Sequence, residues 1–325
     1  MKKIVFIIPY FGKFPKSFQV FLDSCRYNQE VNWLIFTDDT SEYRYPSNVQ
    51  VVPMTFEHLL DRIKSKFDFS VLLPRPYKLC DYKPTYGYLF EEYIQQYDYW
   101  GHCDIDMVFG DIKKFITEEI LNNYKKIFYL GHCTLFENTP ENNRMFMKSI
   151  EGRERYKEVL LSDENQSFDE EFKYSINNIY EQYHEKVLYE DFSANIYTKS
   201  SNFKVTKWDF KQGRYTIEKK KKVLYIWRKG TLMQYTFDNS KCMEKEYLYI
   251  HLQSRKMRCD RYKQGCLSFK IIPNSYETLN VGEVEEKKLD KIKRKHFNLH
   301  YFRIRSKNLF IKAKKYFLSN KVERK

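Results

Sequence analysis

The sequence predicts an α/β fold with a mixed, mostly parallel sheet flanked by helices, on three observations. Short apolar runs alternate with stretches of helical spacing from the start of the chain. The early runs stop at Pro9-Tyr10-Phe11-Gly12, at Asp38-Asp39 and at Asp104, residue types that end buried strands. The chain has 325 residues, 42% of them hydrophobic, enough for one large core or two smaller ones.

Residues 4–8 read as a buried first strand. Residues 16–27 follow as a helix with Phe18, Phe21, Leu22 and Cys25 on one face. Residues 33–37 and 49–52 read as the second and third strands, and residues 56–67 as the next helix. A helix is expected over 86–97 and a short strand over 99–103. Asp111 should then cap a helix that turns Phe115, Ile116, Ile120 and Leu121 inward, before a strand over 127–130. Residues 140–190 read as mainly helical and polar. Residues 223–227 and 231–235 form a hairpin around Arg228-Lys229-Gly230, and residues 247–251 a strand ending in His251. No repeat or Pro/Gly/Ser linker interrupts this order. The expected organisation is one domain over 1–285, with halves of about 1–135 and 136–260, and a tail over 286–325.

Charge is concentrated in that tail. The formal net charge is +14, and residues 287–325 carry 15 Lys/Arg against Asp290 and Glu323. The body is therefore nearly neutral, and charge gives no case for nucleic-acid binding by the whole protein. In the tail, Leu299, Phe302, Leu309, Phe310, Ala313 and Phe317 recur at helical spacing, with Lys307, Lys312, Lys314 and Lys315 between them. That is the pattern of a basic amphipathic helix, the kind that lies on an anionic membrane surface; docking on its own domain is the alternative. No apolar run is long enough to span a membrane, and the run before Pro9 is too short for a signal peptide. Seven cysteines with irregular spacing form no disulfide framework. A cytoplasmic protein with reduced thiols is expected, peripheral on the inner face of the plasma membrane if the tail acts as described.

Glycine is scarce, at 10 residues, and neither G-x-x-x-x-G-K-[ST] nor G-x-G-x-x-G occurs. Any phosphate must then be held by a metal and basic side chains. His102-Cys103-Asp104-Ile105-Asp106 offers the metal ligands. Residues i and i+2 of a strand face one side, and a slight bend lets Asp104 and Asp106 share one ion. Oxygen ligands select Mg²⁺ or Mn²⁺, which keep open positions for phosphate oxygens. Two solvated turn acids are the plainer reading. Tyr99-Trp100-Gly101 before them and Met107-Val108-Phe109 after them argue against it, because unpaired charge among apolar groups is costly. His251, at a strand end, is a candidate third ligand, and Arg255 and Lys256 after it are candidate diphosphate contacts; a hydrogen-bonded structural His on an ordinary basic turn is the plainer reading. A zinc site at Gly101-His102-Cys103 and Gly131-His132-Cys133 is disfavoured, since adjacent strand residues point to opposite faces.

Taken together, these pieces resemble GT-A (Rossmann-like) glycosyltransferases. The closer likeness is to an uncharacterised bacterial family associated with capsule and exopolysaccharide genes. The motifs that carry it are Pro9-Tyr10-Phe11-Gly12-Lys13, residues 77–84, residues 100–106, Phe168-Asp169-Glu170 and residues 251–257, so it covers about residues 1–260. The resemblance implies that Asp104 and Asp106 hold Mn²⁺ or Mg²⁺ and the donor's diphosphate or ribose, with His251 completing the metal site. It implies that Asp81 and Lys83 contact donor sugar and phosphate. Pro84 stands where the family's Asp-x-x-Arg helix carries Arg, so Lys83 is its substitute. Pro9, Tyr10 and Phe11 would line the base. The implied donor is a nucleotide sugar, a UDP-sugar first, and the implied acceptor a glycan or polyprenyl-linked sugar.

An inverting transfer needs a carboxylate base near the acceptor hydroxyl. Asp169 and Glu170 are the first candidates, and Asp191, next to Glu190, follows. Surface acids on helices are the alternative for both pairs. A metal-dependent phosphoesterase or nuclease shares the acid cluster but needs more ligands than seven scattered His supply. A non-enzymatic protein binding membrane or RNA through its tail is the third reading.

Overall fold

The structure, a computed structural model, describes residues 2–170, 172–219, 223–238, 241–253, 255–279 and 298–322. Ser254 of the 251–257 motif, the expected domain boundary near 285, and residues 286–297 and 323–325 of the tail lie outside the described residues. The chain forms two compact units, Met1–Phe192 and Ser193–Lys325.

The first unit is the α/β body. Its strands are β1 (Ile4–Pro9), β2 (Val31–Thr37), β3 (Val49–Pro53), β4 (Tyr99–Cys103), β5 (Met107–Phe109), β6 (Lys126–Ile127), β7 (Cys133–Glu137) and β8 (Val187–Leu188). Seven of them make one sheet in the order β3-β2-β1-β4-β7-β6-β8. β3, β2, β1 and β4 run parallel, and β7 is antiparallel to both β4 and β6. The mixed, mostly parallel sheet is therefore present. From β1 the chain goes to β2 on one side and later returns to β4 on the other. Such a reversal opens a crevice past the carboxyl ends of the two strands, where open α/β sheets bind ligands. Pro9 ends β1 at that crevice, and Asp104 follows β4 there.

The helices follow local signals. α1 (Phe18–Cys25) buries Phe18, Phe21, Leu22 and Cys25, the expected face. α2 (Phe56–Lys66) starts at Thr55, whose side chain accepts the His58 N–H. The helix expected over 86–97 is instead two single turns, α3 (Tyr86–Leu89) and α4 (Glu91–Ile94). Phe90 leaves helical geometry between them, and its buried ring stacks on Phe36 at 4.4 Å. The helix after Asp111 also divides, into α5 (Ile112–Phe115) and α6 (Glu118–Asn123), because Thr117 supplies a second cap by accepting the Ile120 N–H. The strand expected over 127–130 ends at Ile127, since Phe128 takes φ 71° and turns the chain out of the sheet.

Residues 140–190 are helical only in pieces: a 3₁₀ turn at Asn142–Met147, α7 (Arg155–Leu160) and α8 (Ile176–Gln182). They are also less polar in role than expected. Phe146, Tyr156, Phe168 and Tyr180 enter the same core as Phe36, Trp100 and Phe136. Apolar residues spread over such short helices leave no clear period.

The second unit is mainly β. β9 (Ser193–Asn195) pairs parallel with β15 (Tyr249–His251). β10 (Thr206–Asp209) and β11 (Arg214–Ile217) form a hairpin. β12 (Val223–Arg228), β13 (Thr231–Asp238), β14 (Lys241–Tyr247), β16 (Arg258–Arg261), β17 (Ser268–Ile272) and β18 (Ser275–Thr278) make a sheet in the order β14-β13-β12-β17-β18-β16. The β12–β13 turn is the expected one, with Lys229 and Gly230 both at positive φ, as a two-residue hairpin loop requires. The tail forms a helix, α9 (His300–Val322), tied to its own unit by His300 Nε2 on the Thr198 carbonyl at 2.7 Å. Phe302, Leu309 and Phe310 are exposed along it. At 100° per residue, Ile304 and Ile311 fall opposite Phe302 and Leu309, so the apolar residues do not keep to one side. No helix among the described residues is long and apolar enough to cross a membrane.

Close approach of β4 and β7 requires Gly101. A Cβ there would lie 2.4 Å from the Thr134 carbonyl oxygen, which is backbone and cannot swing away. Gly101→Ala should cost about 1–3 kcal/mol of overpacking strain. Urea unfolding is expected to show a lower midpoint with an unchanged m value.

Candidate active site at the end of strand β4

The acids come from a bend. β4 ends at Cys103, and Asp104-Ile105-Asp106 turns the chain into β5. The Asp104 N–H donates to the His132 carbonyl at 3.0 Å, which pins the bend to the loop before β7. Asp104 and Asp106 are both half-buried. The acids therefore meet solvent at the crevice end of the sheet.

Lys83 organises the acids on the β4 side. It lies at the end of a 3₁₀ segment, Pro76–Thr85, that sequence spacing did not indicate. Its Nζ donates to Asp104 Oδ1 at 2.9 Å and to the Gly131 carbonyl at 2.8 Å, and lies 3.3 Å from Asp169 Oδ2. The two carboxylates hold the ammonium well above its ordinary pKa although burial opposes this, so Lys83 stays charged. Asp169 is pulled both ways. Burial pushes its pKa up to about 7, Lys83 pulls it down, and the like charges of Glu170, Asp104 and Asp81 push it up again. The upward direction prevails, because one ammonium serves two acids and Asp104 has the shorter contact.

Gly131 is required beside this cluster. A Cβ there would sit 2.8 Å from both Asp169 Oδ2 and Glu170 Cγ. Glu170 is half-buried next to Asp169, and its backbone carbonyl accepts from Asn177 Nδ2 at 2.8 Å. Asp191 is half-buried, three residues past β8.

Two expected donor contacts in this unit are corrected. Asp81 is fully buried. It accepts from Lys78 Nζ at 2.7 Å and from the backbone N–H groups of Gln166 and Phe168 at 2.8 and 3.2 Å. It is a positioning residue that holds the segment carrying Asp169, and it has no surface left for a sugar. Phe11 is buried in the core, edge-on to Phe56 at 5.4 Å, so it does not line a base. Pro9 and Tyr10 are half-buried at the crevice. Burial first, then the charges of Asp106 and Asp39, raise the Tyr10 phenol's pKa. The neighbouring loop is held by Asp39, which accepts from Lys13 Nζ at 2.7 Å and Phe14 N–H at 2.8 Å.

In the second unit, His251 ends β15 beside its register partner Asn195. Its Nδ1 lies 3.2 Å from Asn195 Oδ1, an oxygen that also accepts from Gln253 Nε2 at 2.6 Å. Asn195 Oδ1 is thus the acceptor, and Nδ1 carries the proton. Arg255, expected on the diphosphate, is instead buried. It donates to the carbonyls of Ser200, Ser201 and Pro273, and burial lowers its pKa to about 10. Lys256 is exposed. The disfavoured zinc pairing finds no support in the register: Cys103 opposes Cys133, while His102 opposes Thr134.

The chain belongs to the Family of unknown function (DUF6625), whose model matches residues 6–280. No curated protein matches it. Among solved structures it is similar to the galactosyltransferase LgtC in complex with donor and acceptor sugar analogs. Identity is 13% and TM-score 0.35 over 60% of this chain and 75% of that one. It is also similar to mouse xyloside xylosyltransferase 1 in its apo form, at 7% identity and TM-score 0.35 over 61% of this chain and 88% of that one.

Asp169 gives a test in the unliganded protein. Its folded pKa lies above the unfolded carboxylate value of 3.8, so the folded state binds the extra proton between about 4 and about 7. Stability is therefore expected to fall as pH rises through that window, by up to about 1.4 kcal/mol per pH unit, and to level off above it. Asp169→Asn should flatten this part of the pH–stability curve measured by chemical denaturation.

Proposed function

We propose that the protein is a metal-dependent glycosyltransferase of the GT-A type. It would move a sugar from a nucleotide-sugar donor, a UDP-sugar first, to a glycan or lipid-linked acceptor in surface polysaccharide synthesis. The observation that carries the reading is the Asp104–Asp106 bend at the carboxyl end of β4, where the strand order reverses, with Lys83 set between Asp104 and Asp169.

In this reading Asp104, Asp106 and His251 hold one Mn²⁺ or Mg²⁺. The donor set suits such an ion: two carboxylates and one imidazole. The Asn195 contact supports His251 as a ligand, because a proton fixed on Nδ1 leaves the Nε2 lone pair for the metal. Bound there, the metal would neutralise the departing diphosphate. Lys83 adds a buried positive charge beside it, and Lys256 an exposed one. Tyr10 and Pro9 flank the base. Asp169 is the base candidate: a carboxylate whose pKa is near neutrality can take the acceptor hydroxyl proton. Glu170 is its neighbour on the solvent side, and Asp191 stays the second candidate. The basic charge of the tail, rather than an apolar face on α9, would bring the enzyme to an anionic membrane surface, which suits a polyprenyl-linked acceptor.

Thermal shift against UDP, GDP and CDP, with and without Mn²⁺, tests the reading. Stabilisation by one nucleotide that depends on the metal is expected; no shift with any pair would sink it. Asp106→Ala and His251→Ala should each lower donor hydrolysis at least about tenfold, as loss of one ion ligand does, with unchanged circular dichroism. Deleting residues 287–325 should reduce co-sedimentation with anionic vesicles; equal binding by the truncated chain would remove the membrane role.

A further inference from the structure

The 3₁₀ segment Pro76–Thr85 does more than deliver Lys83. In a 3₁₀ helix side chains at i, i+3 and i+6 eclipse, so Tyr77, Cys80 and Lys83 share one face. That face runs outward. Lys83 is buried between Asp104 and Asp169, Cys80 is half-buried and accepts from Asn165 Nδ2 at 2.8 Å, and Tyr77 is 75% exposed. Tyr77 is the most exposed large apolar side chain among the described residues. It is not adrift. Arg75, two residues earlier, donates to the Asp163 carbonyl at 3.1 Å and to Asn165 Oδ1 at 2.8 Å, which fixes the start of the segment to the stretch that leads to Asp169. The phenol also senses the site: beyond burial, the charges of Cys80, Asp104 and Glu170 raise its pKa. An aromatic ring held in solvent at the rim of an acid cluster leaves apolar area uncovered and forgoes the stabilisation of burial.

We propose that Tyr77 is a stacking platform for a pyranose ring of the acceptor, seated at the mouth of the site above Asp169 and Glu170. The assignment rests on the glycosyltransferase reading for the word acceptor, but not for the sugar itself. The C–H edges on one face of a pyranose carry partial positive charge and pack on the negative face of an aromatic ring. Hydroxyls around the same sugar would meet Glu170, the half-buried acid next to Asp169. A ring so placed lies on the solvent side of Asp169, a buried carboxylate whose pKa is near neutrality. The donor side is served by other groups, on the bend after β4 and the end of β1. Tyr77 therefore discriminates among acceptors and leaves nucleotide binding alone.

Saturation-transfer NMR with the full chain, in the presence of UDP and Mn²⁺, tests this with methyl glycosides of glucose, galactose, mannose and N-acetylglucosamine as probes. At least one should bind in the millimolar range. Tyr77→Ala should weaken it about tenfold, and Tyr77→Phe less than about threefold, since the ring does the work. The thermal shift with UDP and Mn²⁺ should be the same in all three proteins. Absence of binding by every glycoside to the wild type would overturn the proposal. So would equal binding by Tyr77→Ala, or a loss that follows a weakened UDP shift. If no nucleotide shifts the wild type but a glycoside still binds through Tyr77, the platform stands and the transferase reading falls.

Discussion

The candidate site depends on where one buried ammonium can go. Lys83 cannot stay charged inside the protein without anions, and Asp104 and Asp169 supply them. The pairing joins three stretches far apart in sequence: the 3₁₀ segment, the bend after β4 and the segment before α8. Gly131 is the opening through which the third reaches the other two, since any side chain there would occupy the space of Asp169 and Glu170. Asp81, from the same 3₁₀ segment, holds the Asp169 stretch by its backbone and is itself neutralised by Lys78. One short segment thus carries two buried ion pairs: Lys78–Asp81 fixes the scaffold, and Lys83 reaches into the site.

This arrangement leaves charge in a useful state. Two carboxylates compete for one ammonium, and the more buried of them, Asp169, is left closer to neutrality. Asp104 keeps one oxygen on Lys83 and a third of its side chain in solvent. A site built this way sets a carboxylate whose pKa lies near neutrality beside another that is partly open to solvent.

Much of the first unit was legible in the sequence because its signals are local. The strands from β1 to β4 are apolar runs ended by Pro or Asp, and the Asp104-Ile105-Asp106 bend follows directly from the last of them. The β12–β13 hairpin was legible from Lys229-Gly230. What was not legible depends on tertiary contacts. β7 stands between Gly131 and Asn138-Thr139-Pro140, but its place in the sheet shows only in the close approach to β4 that Gly101 allows. The 3₁₀ segment has a period of three that its two prolines and mixed polarity hide. Asp81 and Arg255 are charged residues in plausible motifs, and only their burial against Lys78 and against three backbone carbonyls shows that they hold the fold. Tyr77 stood within a quoted motif, but nothing in its neighbours says that it would be left in solvent.

A double-mutant cycle on Lys83→Met and Asp169→Asn, read by urea unfolding near pH 8, tests the central interaction most directly. Lys83→Met should destabilise the protein by about 3–5 kcal/mol, because it leaves buried carboxylates without their ammonium, whereas Asp169→Asn, which removes an anion that burial already disfavours and leaves Lys83 its Asp104, should cost little. The pair should cost less than the sum, with a coupling of about 1–3 kcal/mol. Additive losses would contradict the account, since the two residues would then not depend on each other.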